Sequence, residues 1–137
     1  MASTRLPAKI DWLKEPEEKD YAAARSYLSL LVPESALSGV IKRLSEAPAG
    51  SWRAKDILRA AHLPLLTKSK STEVAEKLEH IKHGVPLSPI LLICLLDDVV
   101  LQIADGYHRT CSAYITDEDT LVPGRLLFAG STLEHQT

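Results

Sequence analysis

The chain has 137 residues, of which 45% are hydrophobic and 25% charged, and these values are typical of one globular domain. Its 16 basic and 18 acidic side chains give a formal net charge of -2, which argues against a protein that coats nucleic acid. No apolar run approaches the ~18 residues of a membrane span, and Met1–Lys19 lacks the apolar segment of a secretory signal. We therefore expect a single cytoplasmic domain with two free thiols, Cys94 and Cys111. A disulfide between them is the alternative if the fold brings the two residues together.

Residues 1–61 predict a helical extension. Apolar side chains recur at helical spacing in Glu17–Leu31 and in Glu34–Ala47, with a proline between the two segments. An Ala-Pro-Ala-Gly break follows, and Ser51 is the expected N-cap of a third helix. This third helix is expected to end before Pro64, because the residue that precedes a proline avoids helical geometry.

The middle of the chain predicts a helix followed by a hairpin. Ser71 or Thr72 caps the helix, and Gly84 suits the left-handed position that follows a helix end. The apolar segment Pro89–Leu96 is a predicted buried strand, and Val99–Ala104 is a second strand. The Asp-Asp pair between them predicts a turn, so the two strands are expected to pair as a hairpin.

The last part of the chain predicts a helix at His108–Ile115 and a third strand at Leu121–Phe128. Pro123 lies near the start of this strand and predicts an edge position, because proline donates no hydrogen bond to a ladder. We expect an α/β or α+β fold with a small mixed sheet, whose core covers residues 62–128 and whose last residues, 129–137, form a tail.

Residues 105–110, Asp-Gly-Tyr-His-Arg-Thr, join a strand to a helix and carry the chemistry of a phosphate-binding turn. Gly106 has no Cβ, so a ligand can approach the backbone. The amides that begin a helix are unpaired and lie at its positive end. Arg109 offers a charged fork to a phosphate, His108 a donor or proton carrier, and Thr110 a hydroxyl group.

Asp105 precedes the glycine and could bind Mg²⁺ through water or position a substrate hydroxyl. The alternative for the whole segment is an ordinary Asp-Gly tight turn, in which Arg109 is a surface cation and His108 has no ligand. We favour the phosphate-binding interpretation, because histidine and arginine follow the glycine at a junction between a strand and a helix.

The same residues carry a resemblance to a known family. The run Asp105-Gly106-Tyr107-His108-Arg109, placed between two strands and opening a helix, resembles the phosphate-binding turn of the ParB/sulfiredoxin superfamily. The similarity covers residues 62–128, and it extends to small bacterial proteins that carry this domain without other modules. The resemblance implies a nucleotide or phosphate site at Gly106, Tyr107, His108, Arg109 and Thr110.

Some residues differ from the family patterns, and these differences argue against some of the activities known in the family. Tyr107 stands where sulfiredoxins carry the cysteine of their redox chemistry, so that activity is not expected. Tyr107 and His108 also replace the Glu and Arg of the ParB turn that holds CTP, and we expect no ParB-type helix-turn-helix or dimerisation segment. The motif is most similar to the free serine kinase branch, which carries Asp-Gly-His-His-Arg and uses an upstream acid as base. That similarity implies Asp56 as a candidate base.

We expect the protein to bind a nucleotide (ATP, ADP or CTP) with Mg²⁺ and to transfer a phosphoryl group to an unknown small acceptor, or to hydrolyse the nucleotide. In this hypothesis Asp105, His108 and Asp56 are catalytic residues, and Asp105 is also the metal-binding residue. One alternative is a module that senses a nucleotide or another anion and binds a partner protein. Another is a DNA-binding or nuclease-like activity, which the net charge disfavours. The sequence is also compatible with a homodimer.

Two charged clusters offer further candidates. His80 and His83 lie at i,i+3 and could form a metal site with the histidine of the turn, although the helix dipole also favours histidine at a helix end. Lys55 and Arg59 could reach the nucleotide from the third helix, and the alternative is a solvated, charged helix face.

Overall fold

A computed structural model describes residues 9–95 and 99–129 of the chain. Within these residues, five helices pack on a four-stranded mixed sheet, which confirms an α+β fold class. Among the described helices, none has the length and the apolar character needed to cross a membrane. The helices are α1 (Glu18–Leu28), α2 (Glu34–Glu46), α3 (Ala54–Ala61), α4 (Thr72–Lys82) and α5 (Tyr107–Thr116), and the strands are β1 (Ala49–Arg53), β2 (Ile90–Cys94), β3 (Gln102–Asp105) and β4 (Leu121–Phe128).

The sheet has the strand order β1-β4-β2-β3, with β2 and β4 parallel and the other neighbours antiparallel. The predicted antiparallel pairing of β2 and β3 is confirmed, while the predicted turn at Asp97-Asp98 lies outside the described residues. Ala129 is buried, and its amide donates to the carbonyl of Cys94 at 2.9 Å. The fold therefore includes the first residue of the predicted tail, and residues 130–137 lie outside the described part.

The predicted edge position of β4 is wrong, because β4 lies between β1 and β2. Pro123 is opposite Ser51 of β1, whereas the pairing with β2 begins at Gly124, opposite Ile90. Within the described pairing, no residue of β2 faces Pro123, so the missing N–H of the proline costs no hydrogen bond on that side. A proline at the start of an interior strand thus gives the same sequence signal as a proline in an edge strand.

Ser51 lies in β1 and not at the N-cap of the third helix, where the sequence predicts it. The helix α3 begins at Ala54, whose amide donates to the carbonyl of Thr120 at 2.9 Å. The next amide, that of Lys55, donates to the carbonyl of Glu118 at 3.1 Å. These carbonyls satisfy the open end of α3 in place of a side-chain cap. Residues 1–61 are therefore more than a helical extension, since they contribute an edge strand to the sheet.

The two faces of β2 belong to two apolar clusters, so helices cover both sides of the sheet. Leu91 and Ile93 pack with side chains of α1 and α2, whereas Ile90 and Leu92 pack with side chains of α3 and α5. A strand that is buried on both faces needs an unbroken apolar sequence, as the predicted buried strand has. The burial of these clusters holds β3 close to α1.

Candidate functional site

The turn after β3 lines a cavity of about 410 Å³ that is bordered by α1, α4 and the start of α5. We call this space the turn cavity. Four of its lining side chains are acids, three are cations of lysine or arginine, and two are histidines, so its charge is mixed and not strongly positive. These residues are Glu17, Asp20, Glu73 and Asp105, then Lys19, Lys77 and Arg109, then His80 and His108.

Gly106 has the left-handed backbone that the turn requires, with a φ of 119°. A Cβ at this position would lie 2.3 Å from Cγ2 of Ile90, so no larger residue fits unless β2 moves. The helix α5 starts at the next residue, and no side chain caps it. Its first amides have no acceptor within the helix, and two residues of this first turn, His108 and Arg109, line the turn cavity. The predicted glycine turn and helix start are confirmed.

Arg109 is a buried cation whose guanidinium bonds the protein itself, since only 6% of the residue is exposed. Nη1 donates to the carbonyl and the hydroxyl of Ser88, both at 2.6 Å, and to the carbonyl of Pro89 at 3.1 Å. Nη2 donates to Oδ2 of Asp105 at 2.6 Å and lies 3.4 Å from Oδ1 of Asp20. Both Nη atoms thus bind protein acceptors, so Arg109 connects segments of the fold. Arg109 also lines the turn cavity, and its contact with a phosphate stays a prediction.

The buried Asp20 and the partly buried Asp105 share this arginine and form an acid pair at the wall of the turn cavity. Burial and the neighbouring Asp20 raise the pKa of Asp105 from 3.8 to about 6, and the charge of Arg109 offsets only part of the rise. Burial also acts on Asp20, but hydrogen bonds from Asp105 and from the Glu17 amide, together with Arg109, lower its pKa. Asp20 is thus the ionised member of the pair, and Asp105 is the member that titrates closer to neutral pH.

The sequence prediction does not include Asp20, although α1 carries a signal for it. Asp20, Ala24 and Leu28 are the buried residues of α1 and recur every four positions, so an acid lies on the apolar face. A buried acid requires hydrogen bonds and a compensating cation. Here the amide of Glu17 donates to Oδ2 of Asp20 at 2.8 Å, and Arg109 supplies the cation.

The remaining residues of the predicted turn differ in what they contact. His108 lines the turn cavity, and its Nε2 lies 3.3 Å from Oε2 of Glu73. Thr110 is fully buried and its hydroxyl donates to the carbonyl of the turn glycine at 2.9 Å, so it bonds the helix instead of a ligand. The hydroxyl of Tyr107 donates to the carbonyl of Pro64 at 2.5 Å, and Tyr107 is outside the lining of the turn cavity.

The structure places Asp56 away from the turn, so it does not provide the predicted base. Asp56 borders a separate, mostly apolar groove on α3, and its Oδ1 lies 3.5 Å from Nη1 of Arg59. On the same helix, Nζ of Lys55 lies 2.7 Å from Oδ1 of Asp119. These pairs form the solvated, charged helix face that is the alternative to a nucleotide contact. The upstream acid that meets the turn is Asp20 instead.

In residues 9–95 and 99–129, no group of three or more His, Cys, Asp or Glu side chains is suited to hold a metal ion. His80 lines the turn cavity, but Nε2 of His83 lies 3.5 Å from Oε1 of Glu79, so the predicted histidine cluster does not form. The predicted metal role of Asp105 does not fit either, because its Oδ2 bonds Arg109, whose charge repels a metal ion.

Comparisons with protein-family models, with curated proteins and with solved structures find no significant match to this chain. The resemblance to the ParB/sulfiredoxin superfamily therefore rests on the residues of the sequence, above all 105–109, and stays a prediction.

Replacement of Arg109 by methionine is expected to lower the free energy of unfolding by about 3–5 kcal/mol, because the buried Asp20 and the partly buried Asp105 lose their cation. Arg25 offers a matched control, since its guanidinium is more exposed and lies 3.2 Å from the hydroxyl of Ser38 and 4.0 Å from Glu34. We expect Arg25→Met to cost less than about 1 kcal/mol. Urea unfolding measures both values, and an equally small loss in both variants would contradict the bracing role of Arg109.

The acid pair also predicts how stability depends on pH. Because the pKa of Asp105 is raised in the folded state, its contribution to stability is complete below 3.8 and is lost as the pH rises through about 6. Asparagine mimics the protonated acid and does not titrate. We therefore expect the stability of the wild type, relative to Asp105→Asn, to fall between pH 4 and pH 7. Urea unfolding at both pH values tests this, and a relative rise of the wild type would mean that attraction by Arg109 dominates.

Proposed function

We propose that the turn cavity binds the phosphate groups of a magnesium-bound nucleotide such as ATP, ADP or CTP. The observation that carries this proposal is that three kinds of phosphate donor border one cavity: the open amide end of α5, two lysines and two histidines. Amides at a helix start, ammonium groups and imidazoles all donate to phosphate oxygens. The cavity volume of about 410 Å³ lies within the roughly 300–1,000 Å³ of small-molecule sites.

Both lysines have weak partners that a phosphate can replace. Nζ of Lys19 lies 3.6 Å from Oε1 of Glu17, and Nζ of Lys77 lies 3.3 Å from Oε1 of Glu76. Exposed pairs of this kind contribute only ~0–1 kcal/mol. The acids Glu17 and Glu73 in the cavity repel a bare polyphosphate, so we expect the nucleotide to bring Mg²⁺ on its phosphates as part of the substrate.

Asp105 is the residue best suited to take a proton from an acceptor hydroxyl. Its side chain is 21% exposed at the cavity wall, against 8% for that of Arg109, and its pKa of about 6 suits a base at neutral pH. In the proposed transfer, Asp105 accepts the hydroxyl proton, the acceptor oxygen bonds the terminal phosphorus, and the bond to the leaving nucleotide breaks. Water in place of the acceptor gives hydrolysis. His108, beside Glu73, donates to the charge that develops on the phosphate oxygens.

Thermal unfolding with ATP, ADP, CTP, GTP and phosphate, each with and without Mg²⁺, tests nucleotide binding. A ligand at 100 times its Kd stabilises a protein by about 2.7 kcal/mol, which raises the Tm of a chain of this size by roughly 9 °C. Lys77→Gln removes a cation from the cavity wall, and we expect it to weaken binding about 10- to 100-fold. The shift should appear for at least one nucleotide with Mg²⁺.

Lys82 is a matched control for this variant, because it lies at the end of the same helix and outside the lining of the turn cavity. Lys82→Gln is expected to bind the nucleotide as the wild type does. The absence of a shift with every ligand would contradict nucleotide binding. Equal affinities of the two lysine variants would contradict phosphate binding in the turn cavity.

A module that binds a nucleotide and responds to it without chemistry is a second candidate. The observation that favours it is that both Nη atoms of Arg109 bind protein acceptors, which leaves this guanidinium fewer N–H donors for charge that develops in a transition state. Incubation with the bound nucleotide, Mg²⁺ and a panel of small hydroxyl compounds over hours distinguishes the two. We expect phosphate release or transfer that Asp105→Asn abolishes while nucleotide binding remains. Tight binding without turnover would favour the module.

A further inference from the structure

A second cavity of about 400 Å³ adjoins the turn cavity and shares Ala23, Asp105, Gly106 and His108 with it. We call it the edge cavity, because it lies along β3, which is an edge strand of the described sheet. The two cavities therefore form one groove that passes the glycine turn. Its two halves differ in chemistry, since the acidic, lysine and histidine side chains of α1 and α4 border only the turn cavity.

Apolar side chains and aromatic rings line much of the edge cavity. Leu63, Leu101 and Ile103 line it, together with the aromatic rings of Tyr27 and Tyr107. Leu63 and Tyr27 are 37% and 39% exposed, so a ligand in the edge cavity would remove apolar surface from water. Aliphatic side chains beside two aromatic rings suit a planar aromatic ligand.

A few hydrogen-bonding groups interrupt these apolar walls. Oε1 of Gln102 accepts from the hydroxyl of Tyr27 at 2.5 Å, so the carboxamide nitrogen of Gln102 keeps its N–H donors for a ligand. In addition, β3 pairs with β2 on one side, and alternate N–H and C=O groups of an antiparallel edge strand face outward. Donors and acceptors beside an apolar wall are what the edge of a nucleobase requires.

We propose that the edge cavity holds the base and the ribose of the nucleotide whose phosphates occupy the turn cavity. This inference rests on the proposed function and assigns the uncharged half of the ligand to a separate part of the groove. Gly106 belongs to both cavities, and because it carries no Cβ the ligand can pass close to the backbone at their boundary. Lys19 and Lys77 border only the turn cavity, which favours the phosphates there and sets the direction of the nucleotide in the groove.

Calorimetric titration with ATP, CTP, GTP and inorganic tripolyphosphate, all with Mg²⁺, distinguishes the affinity that the base and the ribose contribute from the affinity of the phosphates. We expect at least one nucleotide to bind the wild type more than about tenfold more tightly than tripolyphosphate does. Gln102→Ala and Leu63→Ala are each expected to weaken that nucleotide by up to about tenfold and to leave tripolyphosphate unchanged. Leu30→Ala is the matched control for Leu63→Ala, because Leu30 is 81% exposed and lines neither cavity.

Equal affinity of the wild type for nucleotides and tripolyphosphate would overturn the inference and leave the phosphate site standing. The same holds if Gln102→Ala and Leu63→Ala leave nucleotide affinity unchanged. If neither the nucleotides nor tripolyphosphate bind, the proposed function fails and the inference with it. The methyl NMR signals of Leu63 and Leu101 give a second readout, because a bound base shifts them by its ring current and tripolyphosphate does not. Unshifted methyl signals with a bound nucleotide would also overturn the inference.

Discussion

The buried guanidinium of Arg109 joins the segments that build the candidate site. It bonds Ser88 and Pro89 before β2, Asp105 at the end of β3, and Asp20 in α1. A buried cation is stable only where carbonyls and anions replace its water. The two acids at the turn therefore accompany the burial of the arginine. The raised pKa of Asp105 follows in turn, because a second acid is buried beside the same cation.

Because of these contacts, some residues of the predicted motif stabilise the fold and others line the turn cavity. Thr110 bonds a protein group, Gly106 and His108 line the turn cavity, and Arg109 does both. Asp105 belongs to both sets, since it bonds Arg109 and still reaches the cavity wall. The arginine can donate to the carboxyl oxygen whether or not Asp105 carries a proton, so the side chain can titrate without leaving its position. A base in a phosphoryl transfer needs this combination of fixed position and changeable charge.

Local sequence patterns predict much of the fold. The hydroxyl of Ser71 accepts from the amide of Val74 at 3.2 Å, as the predicted cap requires, and Gly84 has a φ of 71° after α4. The place of β4 in the sheet is different, because it depends on pairing with segments that are distant in the chain. Pro123 is compatible with an edge strand and with the start of an interior strand. Only the register with β2, which begins at Gly124, distinguishes the two.

The sequence predicts those features of the site that depend only on residues adjacent in the chain. The conformation of Gly106 and the start of α5 follow from a glycine between a strand and a helix, whereas the burial of Arg109 is a tertiary property. The acid on the apolar face of α1 supplies part of the missing information, because Asp20 is costly to bury alone and so implies a buried cation elsewhere in the chain. An arginine in the first turn of a helix that follows a sheet strand can be enclosed by the sheet and by the helices that cover it. The two signals together indicate a buried ion pair that neither predicts alone.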